Sequence, residues 1–231
     1  MLRTNIFRSI SWIIDRLTLI TPCGARQATM ERIEFEPTVV WRARLDAWDE
    51  RSHAVQQSLA KHVNGSGITL SNRGGWHSDV VSHVDAALED VINEVTDLYR
   101  CILAQLGWRS AGTAEVTCEC WININPPGAW NIVHTHPGWH MGAVLFIDSP
   151  PACGDLRIIG LRESLGLNVG PEMPSEAAAS EPFLRRGIDI SPRQGDLFLF
   201  PGWLPHQVLP NRSDADRISI AFNLNCGLDQ T

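Results

Sequence analysis

Between residues 79 and 107 the apolar residues recur every three or four positions, and from residue 115 onward they recur every second position. The first period is that of one buried helical stripe, formed by Val84, Leu88, Val91, Val95, Leu98, Ile102 and Leu106, with Gly107 as its C-terminal stop. The second puts Val116, Cys118, Cys120, Ile122 and Ile124 on one face of a half-buried strand, and Glu115, Thr117, Glu119, Trp121, Asn123 and Asn125 on the other. Further strands are expected over 142–148, 154–159, 196–200 and 217–225, separated by turns such as Pro126-Pro127-Gly128 and Pro201-Gly202. A helix followed by a series of short strands argues for a mainly β, double-sheet fold with a flanking N-terminal helical region, rather than an alternating βα fold. A jelly roll fits best. Residues 160–187, rich in Gly, Pro, Ala, Ser and Glu, interrupt the strand series and are expected to form a lid on the substrate side.

The 231 residues suffice for one well-buried domain of this kind, expected over residues 31–231. Residues 1–30 form an N-terminal extension, helical or flexible, in which Ile6, Ile10, Ile13, Ile14 and Leu17 have the spacing of a short amphipathic helix. Asp15 and Arg16 interrupt the apolar stretch, so it reads neither as a signal peptide nor as a membrane span of roughly 20 apolar residues. With a formal net charge of -7 and no run of Lys and Arg, nothing supplies the electrostatic footprint of a nucleic-acid binder. The six cysteines, Cys23, Cys101, Cys118, Cys120, Cys153 and Cys226, have no framework spacing, which points to reduced thiols in a cytoplasmic protein.

Three histidines fall where the strand pattern brings distant segments together. His134 and His136 are two apart after a Pro-Gly turn, so in an extended segment both imidazoles point to one side, and His206 lies just beyond the strand over 196–200. Neutral imidazoles suit iron, zinc, copper and nickel, and a three-ligand face leaves positions open for substrate or dioxygen. The last strand reads R-I-S-I-A-F-N-L-N from Arg217, with Ile218, Ile220, Phe222 and Leu224 on one face. The other face carries Arg217, Ser219, Ala221, Asn223 and Asn225. Arg217 and Ser219 are thereby expected to project together into the barrel, where a guanidinium needs an anion to offset its desolvation. A planar fork beside a hydroxyl matches a ligand carboxylate, and the competing reading is an internal salt bridge.

Five segments carry a resemblance: N-P-P-G-A-W-N-I-V-H-T-H-P-G from Asn125, G-A-V-L-F-I-D from Gly142, G-D-L from Gly154, Q-G-D-L-F-L-F-P-G-W-L-P-H from Gln194 and R-I-S-I-A-F-N from Arg217. In this order they resemble the 2-oxoglutarate and Fe(II)-dependent oxygenase superfamily. With S-N-R-G-G-W-H-S from Ser71 they are similar, more narrowly, to a bacterial and phage group of such oxygenases with few characterised members. The resemblance runs from about Ile33 to Asn225. It implies a double-stranded β-helix (the cupin-like jelly roll), Fe(II) held by a facial triad, and 2-oxoglutarate and dioxygen as co-substrates. His134 and His206 match the two histidine ligands, and Arg217 with Ser219 match the pair that holds the distal carboxylate of 2-oxoglutarate. His136 departs from the usual H-x-D or H-x-E, so a neutral ring replaces a carboxylate. Its place as a ligand or as a neighbour of the ligands stays open. The implied reaction is hydroxylation of an unactivated C–H bond with release of succinate and carbon dioxide, on a peptide side chain or amino-acid-like small molecule.

Around this centre, Asn123, Asn125 and Asn131 are expected to hydrogen-bond the co-substrate or orient a ligand imidazole. Trp76, His77, Trp121, Trp139 and Trp203 are candidates for the substrate walls, and Gly74-Gly75 for a tight turn ahead of them. Two other classes remain compatible with the histidines alone: a three-histidine iron dioxygenase that needs no 2-oxoglutarate, and a non-catalytic zinc- or nickel-binding jelly roll.

Overall fold

The computed structural model describes residues 16–17, 30–31, 38–108, 112, 115–160 and 187–227, and the chain divides into two compact units, Met1–Thr38 and Val39–Thr231. In the first unit, β1 (Arg16–Leu17) pairs antiparallel with β2 (Met30–Glu31). The amphipathic helix expected from Ile6 lies outside the described residues, apart from its end at Leu17, which is strand.

The second unit runs β3 (Trp41–Arg44), α1 (Trp48–Ala60), β4 (Asn72–Arg73), β5 (Trp76–His77), α2 (Ala86–Gln105), β6 (Val116–Asn125) and β7 (Trp130–His134). It continues with β8 (Met141–Asp148), β9 (Leu156–Ile159), β10 (Gly187–Ile190), β11 (Asp196–Pro201), β12 (His206–Val208) and β13 (Arg217–Cys226). These strands form two sheets, one of five in the order β10-β9-β12-β7-β4 and one of six in the order β3-β11-β8-β13-β6-β5. Among the described residues every strand pairing is antiparallel, and the connections cross repeatedly between sheets, as in a jelly roll.

The six-stranded sheet is covered on both faces. Its outer face gives Leu145, Ile147, Ile122, Ile220, Phe222 and Leu224 to a core shared with Val55 and Leu59 of α1 and Val91, Val95 and Tyr99 of α2. Its inner face gives Val144, Phe146, Phe198 and Phe200 to a second core with Leu156 and Ile158 of the five-stranded sheet. Double coverage explains why β8 reads as an unbroken apolar run. It also corrects the expectation for β6: that strand is half-buried only at its start, and beyond Glu119 its supposedly open face is enclosed, with Asn123 6% and Asn125 0% exposed.

The helix starts later than the apolar spacing suggests. Residues 78–81 run along the edge of β6, where the Ser78 and Val81 N–H groups donate to the Ile122 and Cys120 carbonyls, and Val84 is exposed. Asp85 then caps α2, accepting from the Leu88 N–H, and its carboxylate also takes Ser58 Oγ and Lys61 Nζ of the end of α1, each at 2.7 Å. Those two side-chain donors hold the Asp85 carboxyl down at about 2. Leu106 faces solvent at the other end, while Tyr99 and Leu103 complete the buried stripe. Gly107, at φ +87°, closes the helix in the left-handed conformation expected of a stop. The expected lid falls on residues that, between 161 and 186, lie outside the described ones.

Gly154 is a tightly enclosed backbone position near the inner face. It has φ +95°, and a Cβ there would lie 2.1 Å from the Leu209 carbonyl oxygen and 2.8 Å from Arg217 Nη1. Gly154→Ala is therefore expected to cost about 2 kcal/mol or more, read as a lowered urea midpoint at unchanged m-value; a midpoint within error of the parent would contradict this packing.

Candidate metal centre

His134 and His206 are brought together by backbone pairing: they are direct cross-strand partners of β7 and β12. His136 lies two residues past the end of β7, in a loop whose position is set by the turn after β11. The His136 N–H donates to the Gly202 carbonyl at 2.7 Å, and the Gly202 N–H to the His140 carbonyl at 2.9 Å. A Cβ on Gly202 would collide with the Trp139 carbonyl at 2.1 Å, so only glycine lets the two segments close.

Each ring is oriented through Nδ1. His134 Nδ1–H donates to the Ile132 carbonyl at 2.7 Å and His206 Nδ1–H to the Leu204 carbonyl at 2.8 Å, while His136 Nδ1 meets Asn223 Oδ1. With Nδ1 protonated, Nε2 carries the lone pair, as a metal requires. His136 Nε2 and His206 Nε2 are 3.3 Å apart, and one nitrogen from each of the three rings lies within 4.8 Å of the others. Burial pushes all three imidazoles toward the neutral form: His134 falls to about 4, His136 falls below its ordinary value, and His206 falls well below, helped by the neighbouring rings. Phe200 packs on His206 with ring centroids 4.3 Å apart.

Behind the triad the inner face of β13 presents Arg217 and Ser219, 1% and 5% exposed. Arg217 Nη1 donates to the Cys153 carbonyl and, at 3.0 Å, to the Leu209 carbonyl, but Nη2 has no hydrogen-bond partner. No ion pair to Arg217 exists among the described residues, so the internal salt bridge is not what holds it. Desolvation lowers the guanidinium only to about 10, which leaves it charged at neutral pH. Across the β13–β6 ladder Arg217 faces Asn125 and Ser219 faces Asn123. Both Asn125 side-chain polar atoms and Asn123 Oδ1 are also buried without partners. Such groups stay unpaired only at a cost of about 1–3 kcal/mol each, which marks the space between the sheets as built for a polar guest.

The other expected residues divide. The β7–β12 register slips by one residue between the His134–His206 and Asn131–Val208 pairs, and this bulge turns Asn131 to the same side as His134. Its amide donates to Ser71 Oγ at 3.3 Å. His77 and Trp121 do join the centre: His77 stacks on Trp121, and Trp121 on His136, each pair at 5.8 Å. Trp76 does not, because alternation along β5 turns it to the helix side, where it packs against the outer core. Trp139 and Trp203 line a cleft of about 430 Å³ with Trp41, Tyr99, Trp108 and His136. The spacing argument missed Asn223 as the partner of His136, although it stands on the same polar face as Arg217 and Ser219.

Residues 119–223 match the family model described as "Putative 2OG-Fe(II) oxygenase". The match spans a little under half of the chain and takes in His134, His136, His206, Arg217 and Ser219, so over this segment the chain is similar to the 2OG-Fe(II) oxygenases. The family match together with the three converging histidines supports a 2-oxoglutarate-dependent Fe(II) dioxygenase, which uses iron and 2-oxoglutarate. The oxygenase shares its fold with a prolyl-4-hydroxylase from Pseudomonas putida, at TM-score 0.57 and 18% identity, covering 81% of this chain and 92% of that one. It shares it also with SnoK, an alpha ketoglutarate-dependent carbocyclase from nogalamycin biosynthesis, at TM-score 0.56 and 13% identity over 81% and 79% of the two chains. HygX from Streptomyces hygroscopicus, solved with nickel and 2-oxoglutarate bound, aligns at TM-score 0.51 and 13% identity over 81% and 83%. No curated protein matches the chain significantly.

The depressed imidazoles make the folded oxygenase sensitive to acid. Unfolded histidine protonates below about 6.5, whereas His134 in the folded chain resists protonation down to about 4. The unfolded state thus binds more protons between these values, and stability falls as pH drops through that window. Metal-free protein is expected to show a urea midpoint that declines from pH 7 to 4.5, with a shallower decline in His134→Gln; identical slopes in the two proteins would contradict the burial of a neutral ring.

Proposed function

We propose that this oxygenase hydroxylates an unactivated C–H bond of a peptide side chain or an amino-acid-like metabolite, with His134, His136 and His206 holding the iron and Arg217 with Ser219 holding the distal carboxylate of 2-oxoglutarate. The observation that carries the reading is the unpartnered Nη2 of a fully buried, charged Arg217 in the same inter-sheet space as three converging imidazoles. A guanidinium anchored by two carbonyls through one nitrogen keeps the other free to donate to a carboxylate, and the Ser219 hydroxyl adds a third donor beside it. Asn125, opposite Arg217, offers both a donor and an acceptor to the same guest.

Iron, when bound, supplies the redox chemistry that couples oxidative decarboxylation of 2-oxoglutarate, to succinate and carbon dioxide, with oxidation of a substrate C–H bond by dioxygen. The chain's own residues bind and orient. Neutral imidazoles present lone pairs, the Arg217 pocket fixes the direction of the co-substrate, and Phe200 and Trp121 exclude water from the rings. A peptide side chain in particular is favoured by the cleft beside His136, whose Trp139, Trp203 and Trp41 rings offer broad apolar faces and which, among the described residues, has no Asp, Glu, Lys or Arg in its lining. The prolyl-4-hydroxylase that shares the fold lends the same direction. We place the protein in the cytoplasm, because five of its cysteines are free thiols. No helix among the described residues is long and apolar enough to cross a membrane.

Anaerobic titrations separate the roles. Ser219→Ala is expected to weaken 2-oxoglutarate binding about tenfold and Arg217→Ala roughly 100-fold or more, both with Fe(II) affinity little changed, whereas His206→Ala and His136→Ala lose the metal. Equal metal loss in all four would show that Arg217 serves the fold and not the co-substrate. Unchanged metal affinity in His136→Ala would remove that ring from the ligand set.

A further inference from the structure

We propose that Asn223 is a positioning residue for the metal centre: its side-chain oxygen holds His136 in the tautomer protonated at Nδ1, which turns Nε2, as a lone pair, toward the point shared with His134 and His206. The inference rests on the reading of His136 as a metal ligand.

The three rings are not oriented by the same means. His134 and His206 each donate Nδ1–H to the carbonyl two residues earlier, Ile132 and Leu204, so a backbone acceptor settles their tautomers whenever the strands form. His136 lies beyond the end of β7 and has no such carbonyl. Its Nδ1 partner comes from the other sheet, 87 residues away, and is the Asn223 carboxamide. Asn223 shares the inner face of β13 with Arg217 and Ser219, and in register it stands between Glu119 of β6 and Gly142 of β8. Gly142 keeps the space open, since a Cβ there would come within 3.4 Å of His136 Cδ2 and 2.7 Å of Phe200. Trp121 covers one face of the ring.

An orienting acceptor is needed because a competing arrangement is close at hand. His206 Nε2, already committed to the lone-pair form, is 3.3 Å from His136 Nε2. A His136 protonated at Nε2 would donate to it, satisfy both rings and close the centre to a cation. Asn223 Oδ1 opposes that state by accepting at Nδ1. The group is a carboxamide, and no Asp or Glu among the described residues hydrogen-bonds any of the three rings, so the triad receives orientation without negative charge.

Two measurements test this. In uniformly 15N-labelled, metal-free protein at pH 8, long-range 1H–15N correlation reports which nitrogen of each histidine is protonated. The expectation is Nδ1–H for His136 in the parent and in Asn223→Asp, and a shift to Nε2–H or a mixture in Asn223→Leu. Finding Nε2–H in the parent overturns the proposal without recourse to any variant. In calorimetric titration with Ni(II), Asn223→Leu is expected to bind about 10- to 100-fold more weakly than the parent, and Asn223→Asp at least as tightly. If His136→Ala loses Ni(II) affinity while Asn223→Leu keeps both the tautomer and the affinity of the parent, this inference fails and the ligand assignment stands. If His136→Ala binds Ni(II) like the parent, the ligand assignment fails first.

Discussion

The six-stranded sheet has no face in water along most of its length, and the rest of the molecule follows from that constraint. Its outer surface lies under α1 and α2, so the residues at alternate positions of β6, β8, β11 and β13 must be apolar to fill that layer. Its inner surface faces the second sheet, and there the chain departs from an apolar lining in one region, with Asn123, Asn125, Arg217, Ser219 and Asn223 on adjacent strands β6 and β13. Burying that many polar groups without mutual pairing opposes folding. A fold that keeps them nonetheless, next to three neutral imidazoles, has traded stability for a site. The same inner face is apolar further along, at Val144, Phe146, Phe198 and Phe200, so the second core holds the sheets together while leaving the polar region free to open onto a ligand.

Much of this was legible because strand alternation is a strict rule. Reading every second residue from Arg217 separates Ile218, Ile220, Phe222 and Leu224 from Arg217, Ser219 and Asn223 with no knowledge of neighbours, and the ladder places the two sets on opposite faces. The same arithmetic applied to the Trp76-His77 dipeptide requires one residue to face away, and the structure selects His77 for the interior through its pairing with Asn123. Which of two adjacent aromatics faces inward depends on register, which local sequence does not supply. Helix limits were less legible for a related reason. Val84 has the right spacing for the stripe, but the chain before Asp85 is taken up by backbone hydrogen bonds to β6, a long-range interaction that periodicity does not record.

The histidines show both strengths and limits of local pattern. Two imidazoles separated by one residue do converge, but not as an extended pair: His134 ends a strand, and His136 is held by Gly202 of a different turn. The bulge between Asn131 and His134 adds a residue to β7 without moving His134 away from its partner His206, which is how an odd separation still puts Asn131 on the inner side. Neither device follows from the sequence H-T-H alone. Both follow once β7 is sandwiched between β12 and β4 and the loop after it must meet the end of β11.

Exchange of a carboxylate for His136 alters more than the count of charges. A carboxylate has equivalent oxygens and presents a lone pair in any rotamer that reaches the metal, whereas an imidazole presents one only in the correct tautomer. A three-imidazole centre therefore needs an acceptor behind every ring, and two of these come without extra sequence from strand backbone. The third must be specified by a side chain, which ties the loop after β7 to the last strand of the chain. Both partners of that tie lie within the 119–223 segment that matches the family model. On this argument the histidine and the asparagine form a pair: a variant with Asp in place of His136 would no longer need an acceptor at residue 223, and the orienting role of Asn223 would disappear with the ring it serves.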